Sequence, residues 1–287
     1  MINYQNLTVF NGSPKGGTTI NSFDPYTSID KYITPPNAGK PISRLLPGAS
    51  FYSKLLWVVI KSGLRAKYGT YSGTDWVNNS AEVFRYLESS GIQYQLEGLN
   101  NISATDDPVV FIGNHMSTLE TMVLPCLIQP RKETTFVVKQ ELLEYPFFKH
   151  VLGAREPLEV GREKPREDLR IVLRQGKQKL TDGRSVIIFP QRTRSSHFKP
   201  KEFNSLGVKL AERSGVPFIP VALVTDAWGN GKLLKDVGKI QPQKTVHFAF
   251  GEPRAVSGNT TESHREVLEF IRNKLNEWGR EDCLPSD

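Results

Sequence analysis

"PVVFIGNHMSTLETMVLPCLI", Pro108–Ile128, begins with an apolar run and then changes period. Val109 to Ile112 read as a buried strand, and Ser117 to Leu127 follow a helical pattern. Asn114 and His115 fall at the junction. A strand that hands over directly to a helix is the repeating unit of a parallel sheet. Working outward, "QYQLEGL", "TTFVVK", "SVIIFP", "PFIPVALV" and "TVHFAFG" are further strands, with helical patterns at 166–181 and 203–214 between them. Near the C-terminus, Val267, Leu268, Ile271, Leu275 and Trp278 form one apolar stripe, a helix docked on the core. The alternation predicts an α/β fold: a mostly parallel central sheet flanked by helices. In such sheets ligands gather beyond the carboxyl ends of the strands, so the junction residues are where chemistry is expected.

Before the alternating region the composition differs. Residues 1–48 are rich in Asn, Gly, Pro, Ser and Thr and predict an irregular N-terminal arm. Residues 49–91 predict a helical appendage. Within it, "SFYSKLLWVVIKSGLRAKYG" mixes Phe51, Leu55, Leu56, Val58, Val59 and Ile60 with Lys54, Lys61, Arg65 and Lys67. This segment either packs as an ordinary amphipathic helix or lies on a membrane with its lysines near acidic headgroups. Residues 92–287 are then the α/β domain.

The chain of 287 residues carries a formal net charge of +7, which points to an anionic partner. Nucleic acid is disfavoured, because neither a reading helix nor an aromatic-basic sheet motif is identifiable. Two distant cysteines, Cys126 and Cys283, predict neither a disulfide framework nor a zinc site and fit a reducing compartment. No secretory signal is read at the N-terminus. No apolar run approaches the ~20 residues that cross a bilayer, so an encounter with a membrane would be peripheral.

Two constellations carry chemical potential. His115 is followed five positions on by Glu120. A carboxylate that reaches one imidazole nitrogen fixes the tautomer and leaves the other nitrogen as a base. With no G-x-S-x-G nucleophile nearby, the target would be a substrate hydroxyl. The bland alternative is a helix-capping histidine beside a solvated acid. No H-x-x-x-H pair supports a metal, and His150, His197, His247 and His264 read as structural. The second constellation is "FPQRTRS", Phe189–Ser195, where an apolar strand empties into a cationic turn. Backbone amides there, joined by Thr193, Arg194 and Ser195, form a candidate phosphate cradle, because guanidinium forks match phosphate oxygens. A weaker candidate is "LGAREPLEVGRE", with Arg155 and Arg162.

Taken in order, Asn-His-x4-Glu, "VGREKP", F-P-x-x-T-R-S and "GVPFIPVAL" resemble the glycerophospholipid acyltransferase superfamily, above all its bacterial 1-acyl-glycerol-3-phosphate acyltransferases. The resemblance covers roughly residues 92–253 and implies the acyltransferase fold. It implies His115 as general base on the free hydroxyl of a lysophospholipid and Glu120 as the acid that orients it. Arg162, Gln191, Arg192, Thr193 and Arg194 would hold the substrate phosphate, and Pro220 falls in the block that lines the site. The acceptor implied is 1-acyl-glycerol-3-phosphate, giving phosphatidate. Glycerol-3-phosphate or another lysolipid is the alternative, as is a relative that binds lipid with weak turnover. The donor would be acyl-CoA or acyl carrier protein, a cosubstrate, with no metal and no other cofactor. Partners are then the two substrates and an anionic membrane surface, and the location is cytoplasmic, peripheral on the inner face of the cell membrane. Two departures stand out: Glu120 replaces the usual Asp, and Gln191-Arg192 replaces the usual Glu-Gly.

Overall fold

The computed structural model describes residues 23–36, 38, 43, 45–145, 148–161, 165–191, 193–231, 234–256 and 258–284. Its strands are β1 (Tyr32–Ile33), β2 (Gln93–Glu97), β3 (Val110–Gly113), β4 (Thr134–Lys139), β5 (Leu158–Val160), β6 (Ser185–Ile188), β7 (Phe218–Val224) and β8 (Thr245–Phe250). The helices are α1 (Pro47–Lys67), α2 (Gly73–Ser89), α3 (Leu119–Ile128), α4 (Phe148–Gly153), α5 (Pro165–Thr181), α6 (Leu206–Ser214) and α7 (Thr260–Glu277).

The strands make one eight-stranded sheet in the order β1-β2-β8-β7-β3-β6-β4-β5. Every pairing is parallel except β1 with β2 and β7 with β8. The mostly parallel α/β architecture expected from the alternation is therefore present. Its central strands β3, β6 and β7 are buried at every position, as strands covered on both faces must be. That is why they read as unbroken apolar runs rather than alternating ones.

Two short strands lie outside the sequence expectation. β1 comes from the segment read as an irregular arm. Phe23 stacks on Phe84 of α2 with ring centroids 4.5 Å apart, and Tyr32 and Thr34 both donate to the buried carboxylate of Glu88. Long-range aromatic packing orders this part of the arm, against its turn-rich composition. β5 is three residues long, too short to show a period.

The helical appendage forms as expected. α1 begins with Pro47 in its first turn, and α2 begins at Ser72, whose hydroxyl caps Asp75 in a reciprocal capping box. α1 packs through Phe51 and Val58, while Leu56, Trp57 and Leu64 remain exposed.

α6 passes across the strands that carry the site, and a glycine permits the approach. A Cβ on Gly207 would lie 2.8 Å from Cγ1 of Ile112 and 3.0 Å from Cγ2 of Ile188. Both neighbours are packed core side chains with little room to retreat. Gly207→Ala should lower the unfolding free energy by about 1–3 kcal/mol, measured by denaturant titration. Combined with Ile112→Val, the total loss should be less than the sum of the two single losses. Strict additivity would show that the two positions do not press on each other.

Candidate active site

β3, β6 and β7 end side by side, and the residues just beyond them converge. Asn114 joins β3 to β7 twice: its amide donates to the Leu223 carbonyl at 2.9 Å, and its oxygen accepts from the Leu223 amide at 3.0 Å. This paired bond fixes where the chain leaves the sheet. His115 is the next residue.

Glu120 sits in the first turn of α3, fully buried. Five kinds of donor surround its carboxylate. His115 Nδ1 lies 2.8 Å from Oε1, the Met116 amide donates at 2.7 Å and the Ser117 amide at 2.9 Å. The Ser117 hydroxyl reaches Oε2 at 3.1 Å and the Thr225 hydroxyl at 2.6 Å. Burial pushes the Glu120 pKa up, but the bond and charge of His115, with the bonds from Thr225 and Ser117, outweigh burial and hold it below the ordinary glutamate value. An ionised carboxylate only accepts, so Nδ1 carries a proton toward Oε1, and in the neutral imidazole tautomer that this selects the lone pair lies on Nε2.

The histidine is held on every side. Its ring lies flat on Phe189, with centroids 4.5 Å apart and an interplanar angle of 9°. Its amide donates to Oε1 of Gln191 at 2.6 Å, and its carbonyl accepts from the Ser195 amide at 2.9 Å. The cationic turn thus clamps the His115 backbone from both ends. Gln191, expected at a phosphate, spends its oxygen on this clamp instead. Phe189 and Gln191 come from the end of β6, which pairs with β3, so the clamp follows from strand order.

Arg194 turns toward the same place. Its Nη1 donates to Thr118 Oγ1 at 2.9 Å and to Asp236 Oδ1 at 2.6 Å. Thr118 lies between His115 and Glu120, so the guanidinium belongs to the site. Thr193 is exposed on the turn. Arg162 and Arg192 lie outside the described residues. Arg155 is not part of the constellation: it is buried over the ring of Trp76 and bonded to Glu133. Pro220 is buried within β7, opposite Ile112. His247 stacks on Trp278, and His264 lies against Phe203, each a packing role.

Three participants escaped the sequence reading. Thr225 is the first polar residue after the apolar β7 run, a signal the strand-end rule could have used. Ser117 lay within the quoted motif. Asp236 sits in the long connection between β7 and β8, and nothing local distinguishes it from the lysines around it.

The depressed Glu120 pKa has a definite sign. The folded protein binds this proton less tightly than the unfolded chain does. Glu120 therefore contributes its full stability above the ordinary glutamate range and loses that contribution as pH falls through its lower native value. Below about pH 4.3 the urea midpoint should decline with pH, and Glu120→Gln, less stable overall, should decline less over the same interval. Parallel declines in the two proteins would remove Glu120 as the source.

The chain is similar to known proteins in both sequence and fold. Residues 93–224 match the Acyltransferase family model. A 1-acyl-sn-glycerol-3-phosphate acyltransferase of Pseudomonas aeruginosa is 35% identical over 171 residues, covering 58% of this chain and 65% of the relative. The chloroplastic 1-acyl-sn-glycerol-3-phosphate acyltransferase BAT2 of Brassica napus is 28% identical, covering 62% of this chain and 47% of its own. The matched region thus spans about two-thirds of the first relative and about half of the second. A crystal structure of the 1-acyl-sn-glycerophosphate (LPA) acyltransferase PlsC from Thermotoga maritima superposes with a TM-score of 0.60 at 22% identity, over 83% of this chain and 97% of that one. The fold is therefore that of PlsC, and residues 93–224 are the part of the chain similar to the Acyltransferase family.

Proposed function

We propose that this protein transfers an acyl chain from an acyl thioester to the free hydroxyl of a lysophospholipid, with 1-acyl-glycerol-3-phosphate as acceptor and phosphatidate as product. The observation that carries the reading is the 2.8 Å pair of His115 Nδ1 with buried Glu120 at the strand ends. Nε2 takes the proton of the acceptor hydroxyl as its oxygen attacks the thioester carbonyl. The tetrahedral adduct then collapses, the C–S bond breaks, and the imidazolium returns the proton to the departing thiolate. Glu120 stabilises the imidazolium between those steps.

Arg194 and Thr193 are assigned to the acceptor phosphate, with Arg162 and Arg192 as further candidates from the motif pattern. Gln191 acts through the His115 amide and is a positioning residue. The donor is acyl-CoA or acyl carrier protein. Acid–base chemistry on an activated thioester is self-sufficient, so the reading assigns no metal or redox cofactor.

The alternatives differ in acceptor or in turnover. Glycerol-3-phosphate offers the same phosphate and a hydroxyl, and other lysolipids offer the hydroxyl. A relative that binds lipid with weak turnover was suggested by Gln191 and Arg192. The 2.6 Å bond from the His115 amide to Gln191 favours turnover, because the substituted residue still aligns the base. With labelled acyl-CoA and a panel of acceptors in detergent, lysophosphatidate should be the best acceptor. His115→Ala should lose about 10²–10⁴-fold in rate, the usual worth of a positioned base. Equal rates in the two proteins would reject His115 as base, and no product from any acceptor would favour the binding relative.

The same reading places the protein on the inner face of the cell membrane. No helix among the described residues is long and apolar enough to cross a bilayer. α1 instead presents Leu56, Trp57 and Leu64 outward, beside Tyr68, which is 74% exposed. Such a stripe, flanked by Lys67 and Arg65, suits an anionic surface. Replacing Leu56 and Trp57 together by Ser should weaken flotation with phosphatidylglycerol vesicles by about a hundredfold or more, since burying each such side chain contributes about 1.5–3 kcal/mol and about 1.4 kcal/mol is a factor of ten. Unchanged flotation would move the membrane contact elsewhere.

A further inference from the structure

Arg194 is not waiting empty-handed. Asp236 Oδ1 accepts from Nη1 at 2.6 Å, and the Thr118 hydroxyl bonds the same oxygen at 2.9 Å while accepting from Nη1. Both N–H groups of Nη1 are thereby used. A phosphate that takes the Nη1 donors would need the position that the Asp236 carboxylate holds. A dianion beside that carboxylate would also meet like-charge repulsion. The pair opens to solvent on the aspartate's side: the Asp236 side chain is 42% exposed and that of Arg194 only 15%. An anion that approaches Arg194 from solvent therefore meets Asp236 first.

The aspartate can leave without unravelling its surroundings. Its backbone carbonyl accepts from Trp228 Nε1 at 3.2 Å, and the turn around it is closed by the Val237 amide donating to Leu234 at 2.9 Å. Asn230 fastens the same connection to the Met116 carbonyl at 3.0 Å, and the Tyr52 hydroxyl fastens it at Gly238. Trp228 is buried against Phe51 of α1. None of these anchors runs through the Asp236 side chain, so a change of its rotamer releases Arg194 while the loop stays put.

We propose that Asp236 is a resident counter-ion of the acceptor-phosphate subsite: its carboxylate occupies Arg194 in the free protein and is displaced when the phosphate of the acceptor binds. The proposal rests on the reading of Arg194 as the phosphate-holding arginine. Asp236 is here a residue that sets acceptor affinity by competition. It keeps the guanidinium oriented and neutralised between turnovers, at a cost in affinity for any phosphate that enters, product included.

Two readouts test it, binding of inorganic phosphate by calorimetry and KM for lysophosphatidate, on the wild type, Asp236→Asn, Arg194→Gln and the double variant. Asparagine keeps an oxygen for Thr118 and removes only the charge. Asp236→Asn should lower both the phosphate Kd and the KM by about fivefold, the worth of one partly exposed ion pair. Arg194→Gln should raise both, and in the double variant the Asp236 effect should disappear. If Asp236→Asn raises or does not move the two constants while Arg194→Gln raises them, Asp236 is an orienting partner or a bystander and the counter-ion proposal fails. If Arg194→Gln moves neither constant, the phosphate reading of Arg194 fails, and the proposal with it.

Discussion

A carboxylate with no access to water must find its hydrogen bonds inside the protein, and the site is arranged around that demand at Glu120. Its donors are the amides of Met116 and Ser117, the hydroxyls of Ser117 and Thr225, and the His115 ring. Satisfying it shapes the chain between β3 and α3, because two of those donors are backbone amides that can reach the carboxylate only if the turn folds back over the start of the helix. It also chooses the imidazole tautomer. An isolated buried charge would cost several kcal/mol. Here that cost is offset by bonds that also orient the His115 ring and the turn that carries it. The extra methylene of Glu, relative to the Asp of the resembling family, is accommodated by the same fold-back.

The substitution at Gln191 becomes intelligible once its partner is known. What it meets is a backbone N–H of His115, which asks for an acceptor oxygen and gains little from a full charge. The glutamate usual at this place would add a second buried carboxylate within one residue of the His115–Glu120 pair. A neutral amide retains the clamp and avoids that repulsion. The clamp's other end, the Ser195 amide on the His115 carbonyl, uses no side chain at all. It survives whatever residues fill the turn between. The turn therefore does two jobs: its ends hold His115, and its middle brings Arg194 to Thr118 and Asp236.

How much of this could be read in advance depends on range. The central strands announced themselves because burial on both faces demands continuous apolar runs. His115 and Glu120 were legible because they stand only five positions apart and a strand-to-helix turn closes that distance. β1 was not, since Tyr32 and Phe23 owe their places to Phe84 and Glu88, far along the chain. Arg155 was singled out for its charge, and only the fold reveals that Trp76 and Glu133 consume it. Asp236 lies 116 residues beyond Glu120 and meets Arg194 through strand order, with β7 and β6 on either side of β3. Local composition carries no trace of such a meeting.

The connection between β7 and β8 links the two features that the proposed function needs at once. Trp228 packs on Phe51 at 4.8 Å between ring centroids, and the hydroxyl of Tyr52 bonds Gly238. Both partners are on α1, which also exposes Leu56 and Trp57. From the same connection, Asn230 holds Met116 and Asp236 holds Arg194. The helix proposed to lie on lipid and the turn proposed to receive a lipid headgroup are therefore tied to one another by a single loop and to the sheet by β7. A lysophospholipid resting in a bilayer keeps its phosphate and hydroxyl at the surface and its acyl chain below. On the proposed function, a base at the strand ends, the Arg194 guanidinium at Thr118 and a helix on the lipid surface meet such a molecule without extracting it, which avoids the cost of about 0.8 kcal/mol per methylene of drawing its chain into water.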